Sequence, residues 1–211
     1  MADAERRSKW VETFATVLLA VAAVATAWAS YQAAQWRGEQ ASHSSKSTAA
    51  RIQSSNASIR AGQLATIDVA MFTQWIDATE AGKTQLADFY RARFRTEFTP
   101  AFDAWLATKP LTNADAPPTP FAMPEYQLAD NKEAERLNSV AQAESSGANT
   151  AIDRSDNYML AVVLFAVSLF FAGISTKLQT LRHREVLLGL GGLLFLGTFI
   201  WVVTIPARLV A

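Results

Sequence analysis

The chain has 211 residues, half of them apolar, with 19 basic against 19 acidic side chains and no cysteine. A formal net charge of zero gives no basic footprint for nucleic acid, and the missing cysteines exclude disulfides, thiolate metal sites and cysteine nucleophiles. The averages conceal a partition. Charged residues are absent from Thr13 to Trp36, from Asn157 to Thr176 and from Val186 to Ala207. Each run is long enough to span a hydrocarbon core of ~30 Å, which takes about 20 helical residues.

In chain order, residues 1–10 form a short basic N-terminus and 11–36 a first span. Arg6, Arg7 and Lys9 followed by an apolar run and "AWA" have the outline of a secretory signal. The polar part ahead of the run is long for such a segment, so a retained anchor is expected. The span is rich in alanine. Ala23 with Ala27, and Ala25 with Ala29, carry the small-xxx-small spacing that lets helix backbones approach closely.

Residues 37–156 form a long polar insert. The stretch "ASHSSKSTAARIQSSNASIR" at 41–60 reads as a helix, not as a serine-rich linker. Ala41, Ser45, Thr48, Ile52, Ser55, Ile59 and Gly62 recur at steps of three and four and make one narrow stripe, resembling a coiled-coil seam. The stripe predicts contact with a returning segment, through Leu137, Val140 or Ala141, Ala148 and Ile152, or with a second copy of the chain. From Leu64 the helical periodicity is plain, through Ile67, Met71 and Trp75 and on to Leu86, Tyr90, Phe94 and Phe98. Gly82 predicts a break between the two halves. Thr99-Pro100 reads as an N-cap and first helical residue. The proline-rich stretch 109–124 predicts an extended loop. Pro124 and Glu125 are expected to open a helix that runs into the second span, with Gly147 as a weak point. Phe94, Phe98, Phe102 and Trp105 are expected to form a core, with Arg91, Arg93 and Arg95 solvated.

The second span occupies 157–176, where Ser168, Ala172 and Thr176 repeat the small-residue spacing. A basic loop at 177–185, a third span at 186–206 and a short tail at 207–211 complete the chain. The basic flanks at Arg6–Lys9 and at Lys177, Arg182 and Arg184 belong on the cytoplasmic side by the positive-inside rule. The insert and the C-terminus are then extracytoplasmic. Trp10 falls at the inner edge, and Trp28, Tyr31, Tyr158 and Trp201 towards the outer one.

Catalytic chemistry is hard to assemble from these residues. Glu39 and His43 are an i, i+4 pair, but two ligands are too few for a metal. No nucleophile elbow, P-loop or dinucleotide glycine pattern occurs. No ionisable residue falls in the middle of a span, where an ion-coupled transporter places one. "RRSKWVE", "YQAAQW" at 31–36 and "FFAGISTKL" at 170–178, in this order around a helical insert, resemble families of bacterial inner-membrane proteins described only as domains of unknown function. The resemblance implies a bacterial inner membrane and no activity. The expectation is therefore an all-α protein with three transmembrane helices and a helical extracytoplasmic domain. It needs no cofactor and acts as a scaffold, as a homo-oligomer or with a membrane-protein partner. The packing or assembly seam is Ala23, Ala27, Ser45, Thr48, Ile52, Ser55, Ile59, Ser168, Ala172 and Thr176. The alternatives are a channel lined by the first span and its Ser/Thr-rich extension, and an envelope sensor that signals through a partner.

Overall fold

A computed structural model describes residues 2–110 and 112–208, the side chains of 2–5 and 8 excepted. The fold is all-α. Helices α1 (Ala2–Glu80), α2 (Thr84–Arg91), α3 (Thr99–Ala107), α4 (Ala129–Ser175) and α5 (Leu181–Thr204) follow one another, with a 3-10 turn at Pro120–Ala122. There is no strand among the described residues. Three of the helices, α1, α4 and α5, are long and apolar enough to cross a membrane. The chain divides into two compact units, one of residues 1–45 with 144–211 and one of residues 46–143.

The first unit is a bundle of the three apolar segments. Its core takes Ala15, Leu18, Ala22, Ala29 and Trp36 from α1, Tyr158, Phe165 and Ala172 from α4, and Leu188, Phe195 and Val202 from α5. Ala15, Ala22, Ala29 and Trp36 are seven apart, so one face of α1 stays against its neighbours along the span. The α4–α5 contact is close at Gly191. A Cβ there would lie 3.2 Å from the Ser168 carbonyl oxygen and from Phe171 Cβ. The Ser168 hydroxyl donates to Gly191 O at 2.7 Å. Tyr158 is buried in the bundle, and its hydroxyl donates to Ile205 O at 3.3 Å. Arg7 Nε lies 4.0 Å from Glu185 Oε1, which brings the N-terminal basic flank and the basic α4–α5 connection to one end of the bundle.

The second unit pairs residues 46–80 of α1 with the start of α4 through small side chains. Ser47, Ala50, Ala57 and Ala61 are buried on α1, and Ala134, Leu137 and Ala141 on α4. With Ser54 the α1 set steps by three and four. The Ser47 hydroxyl donates to Ala141 O and that of Ser54 to Ala134 O, both at 2.8 Å. Such bonds need the backbones close together, which is why the seam is alanine and serine.

Beyond this pair lies an aromatic head. Phe72, Phe98, Phe102 and Trp105 form its centre, with Trp75, Phe94, Phe121 and Tyr126 packed against them. The helix break falls at Gly82, whose φ of 70° suits glycine. Helix α3 is entered one residue earlier than expected. Phe98 is the N-cap and Thr99 is already helical, its hydroxyl turned back to Arg95 O. Helix α4 starts at Ala129, not at Pro124 and Glu125. Residues 124–128 are held out of the helix by Tyr126, whose ring meets Phe121 and Phe98 and whose hydroxyl donates to Asp68. Glu97 Oε1 then accepts the free Ala129 N–H at 3.1 Å, satisfying one of the donors a helix start leaves open.

Candidate assembly face and polar clamp

The predicted seam residues divide into two groups. Ser168 and Ala172 are fully buried at the contact with α5. Thr176 is exposed and its hydroxyl donates to Gly173 O, closing its own helix end. Ala23 and Ala27 are exposed, and Ala22, Ala25 and Ala29 meet the bundle instead. Leu18 and Trp36 are buried on that same face. The whole stripe of Ala41, Ser45, Thr48, Ile52, Ser55, Ile59 and Gly62 is exposed as well. The seam made within the chain runs through Ser47, Ser54 and Ala61, two positions further along. Two positions are roughly 200° around a helix, close to the opposite face. On α4, Leu137, Ala141 and Ala148 are buried, whereas Val140 and Ile152 are 40% exposed. Ile52 and Ile59 are 57% and 58% exposed, so the two largest apolar side chains of the stretch touch little of their own chain.

The first unit carries a polar clamp at the end away from Arg7 and Glu185. Sequence reasoning left Glu39 and His43 as an isolated pair, and the fold adds two partners. His43 Nδ1 lies 2.6 Å from Glu144 Oε2 on α4, and His43 Nε2 lies 3.4 Å from Glu39 Oε1. Arg208 Nη1 takes the other Glu39 oxygen, Oε2, at 2.5 Å. The imidazole thus stands between two carboxylates. A neutral ring donates to only one of them, and a protonated ring donates to both. Gly147 leaves α4 unbroken. It clears space for the imidazole, since a Cβ there would lie 2.9 Å from His43 Nδ1. Glu144 and Gly147 are on one α4 face, three apart. That spacing was visible in the sequence, but nothing in it points to His43, a hundred residues away.

The clamp also fixes the segment after α5. Gln32 is fully buried on α1. Its amide nitrogen donates to Arg208 O at 3.1 Å and its oxygen accepts from Arg208 N at 2.8 Å. Two guanidiniums flank the Trp36 ring, that of Arg154 at 4.4 Å and that of Arg208 at 5.8 Å, within cation–π range. Trp36 Nε1 is buried without an acceptor among the described residues. Every Glu39 contact is to a cation or to imidazole, and no group of three or more His, Cys, Asp or Glu is placed to hold a metal among the described residues.

A second charged cluster ties the aromatic head to α1. Asp68 is 1% exposed. Its Oδ2 accepts from Arg95 Nη1 at 2.8 Å and from the Tyr126 hydroxyl at 3.0 Å. Arg95 also pairs with Glu97. Loss of water at this depth raises the Asp68 carboxyl above its ordinary range, against the lowering by Tyr126 and Arg95. The Tyr126 phenol is raised by the same burial and by the charge of Asp68. Arg95 is thus a structural ion-pair member, not a solvated arginine. Arg91 pairs with Asp103 at 2.9 Å, and Arg93 lies over the Phe89 ring. The chain matches no protein-family model, no curated protein and no solved structure.

Proposed function

We propose that this chain is a non-enzymatic integral membrane protein of the bacterial inner membrane that acts by assembly. Its α1 face at Thr48, Ile52, Ser55 and Ile59 pairs with a second copy of the chain in a coiled coil, or with a membrane-protein partner. One observation carries the reading. The intrachain seam of α1 uses the opposite face, and Ile52 and Ile59 remain more than half exposed. Burying an isoleucine stabilises by roughly 1.5–3 kcal/mol. Two half-exposed isoleucines per copy, repeated by symmetry, supply a useful share of an association energy. Basic residues at Arg6–Lys9 and in the α4–α5 connection put that end in the cytoplasm and residues 37–156 outside it.

A channel lined by α1 is less well supported. Ser47 and Ser54, the inward hydroxyls of the extension, are spent on α4 carbonyls. Single cysteines test the assembly directly, because the chain has none of its own. Cysteine at Ile52 or Ile59 is expected to cross-link between subunits in membranes, and cysteine at Lys46 or Gln53, off the stripe, far less. Equal cross-linking at all four positions removes the proposal. Native mass in mild detergent then separates a dimer or mixed complex from a ring of five or more copies, which returns the reading to a channel.

A further inference from the structure

The aromatic head contains a cleft of about 390 Å³ between the ends of α1 and α3, walled by Trp75, Ile76, Trp105 and Leu106. The volume lies in the range of small-molecule sites, about 300–1,000 Å³. Its walls are braced by ring contacts. Trp75 packs edge-on to Phe102 at 4.8 Å and Trp105 edge-on to Phe72 at 5.3 Å. Two of the polar groups along the cleft are satisfied within the chain. The Trp105 indole N–H donates to Pro117 O at 2.8 Å and the Thr79 hydroxyl to Trp75 O at 2.8 Å. A ligand therefore meets an apolar slot.

The mouth is different. Glu80 and Lys109 both line it, and both are exposed. Neither side chain has an ion-pair partner among the described residues. The two opposite charges border one opening without forming an ion pair with each other. Lys109 also has a φ of 55°, the left-handed position just past the end of α3, where glycine or asparagine is the usual residue. A lysine there bears a backbone cost that a glycine avoids, and it places an ammonium group at the slot.

We infer that this cleft binds a small zwitterion with an apolar body of about the size of a phenyl ring. The body sits between the two indoles, its ammonium faces Glu80 and its anionic group faces Lys109. Charge complementarity selects this class over a simple hydrocarbon, a cation or an anion, each of which leaves one or both mouth charges unanswered. The inference is independent of the assembly reading and does not need the α1 stripe.

Three compounds share one body and differ in charge: phenylalanine, phenethylamine, which lacks the carboxylate, and 3-phenylpropionate, which lacks the amine. Each is titrated calorimetrically into the full-length protein in maltoside, a detergent without a charged head. Phenylalanine is expected to bind about tenfold more tightly than either analogue, a difference of one charge-assisted contact. Glu80→Gln should reduce phenylalanine to the level of 3-phenylpropionate, and Lys109→Gln to that of phenethylamine. Trp75→Ala should abolish saturable binding of all three and so separates the cleft from partition into micelles. Both mouth residues are exposed, so their variants retain the helical circular dichroism spectrum. Equal binding of the three compounds, indifference to both mouth substitutions, or no saturable heat up to about 10 mM, the limit of weak specific binding, each overturns the inference.

Discussion

Replacing Gly147 with alanine tests whether the polar clamp holds α1 to α4. At an ordinary helical glycine the change is stabilising by about 1 kcal/mol, because alanine loses less backbone freedom on folding. Gly38 and Gly62 are such sites, with nothing within 4 Å of an added Cβ. At Gly147 the Cβ would lie 2.9 Å from Cε1 and Nδ1 of His43 and 3.2 Å from Cγ. The ring has to swing aside, and with it goes the 2.6 Å contact to Glu144. A charge-assisted bond contributes about 1.5–3 kcal/mol, and partial exposure of both partners favours the lower end. The net effect is a loss of about 0.5–1 kcal/mol where Gly38→Ala gains about as much. In a His43→Ala background there is no ring to displace, so Gly147→Ala should become stabilising. Thermal unfolding in maltoside, followed by far-ultraviolet circular dichroism, reads all four variants as a double-mutant cycle. The clamp argument fails if Gly147→Ala is as stabilising as Gly38→Ala with His43 present, or if the His43 background leaves its sign unchanged.

The raised Asp68 carboxyl makes a prediction about pH. Its folded state holds a proton above the ordinary value of 3.8, so stability is expected to fall as pH rises from that value through the raised one. Asp68→Asn should flatten this slope, and an unchanged slope in acid-range unfolding curves would contradict it. Gly191→Val should loosen the α4–α5 contact by about 1–3 kcal/mol through overpacking, because even a Cβ meets the Ser168 carbonyl at 3.2 Å. Gly197→Val, with nothing within 4 Å, should be near neutral in the same unfolding assay. For orientation, cysteine at Asn113 should react with a membrane-impermeant thiol reagent in intact cells and cysteine at Thr180 should not. The reverse pattern inverts the topology.

The apolar segments of α1, α4 and α5 were legible because a span is fixed by composition over about 20 residues, which needs no knowledge of neighbours. The turn at Gly82 and the aromatic head were legible for a related reason: glycine and clustered large aromatics have few alternative uses. Features decided by a distant partner were not. Thr99 has the chemistry of an N-cap, but its hydroxyl finds Arg95 O. Pro124 and Glu125 have the chemistry of a helix start, but Tyr126 is drawn into the head by Asp68 and the rings around it. Gly147 looks like a defect until the imidazole of His43 is placed beside it. The clamp itself joins positions 39, 43, 144 and 208, and no local pattern connects them.

The phase of the α1 seam was obscured by the residues that build it. Alanine and serine occur on every face of residues 41–60, so small side chains alone cannot say which face is inward. Ile52 and Ile59 break that degeneracy, and reading them as the inward face follows from the rule that large apolar residues are buried. The α1–α4 contact obeys a different constraint. Ser47 and Ser54 reach α4 carbonyls at 2.8 Å, which requires backbones nearer than two isoleucines allow. Close approach therefore selects the small face for the chain's own seam and turns the isoleucines outward. The same 20 residues then carry two faces of different character: a small one, consumed by the fold, and a larger apolar one that the fold leaves accessible. If the second face were only a by-product of the first, polar residues at 52 and 59 would serve the fold better in water. Substituting aspartate at both positions should then leave the intrachain helix pair intact while removing subunit cross-linking at neighbouring stripe positions. Loss of the helix pair itself would mean that Ile52 and Ile59 are structural after all.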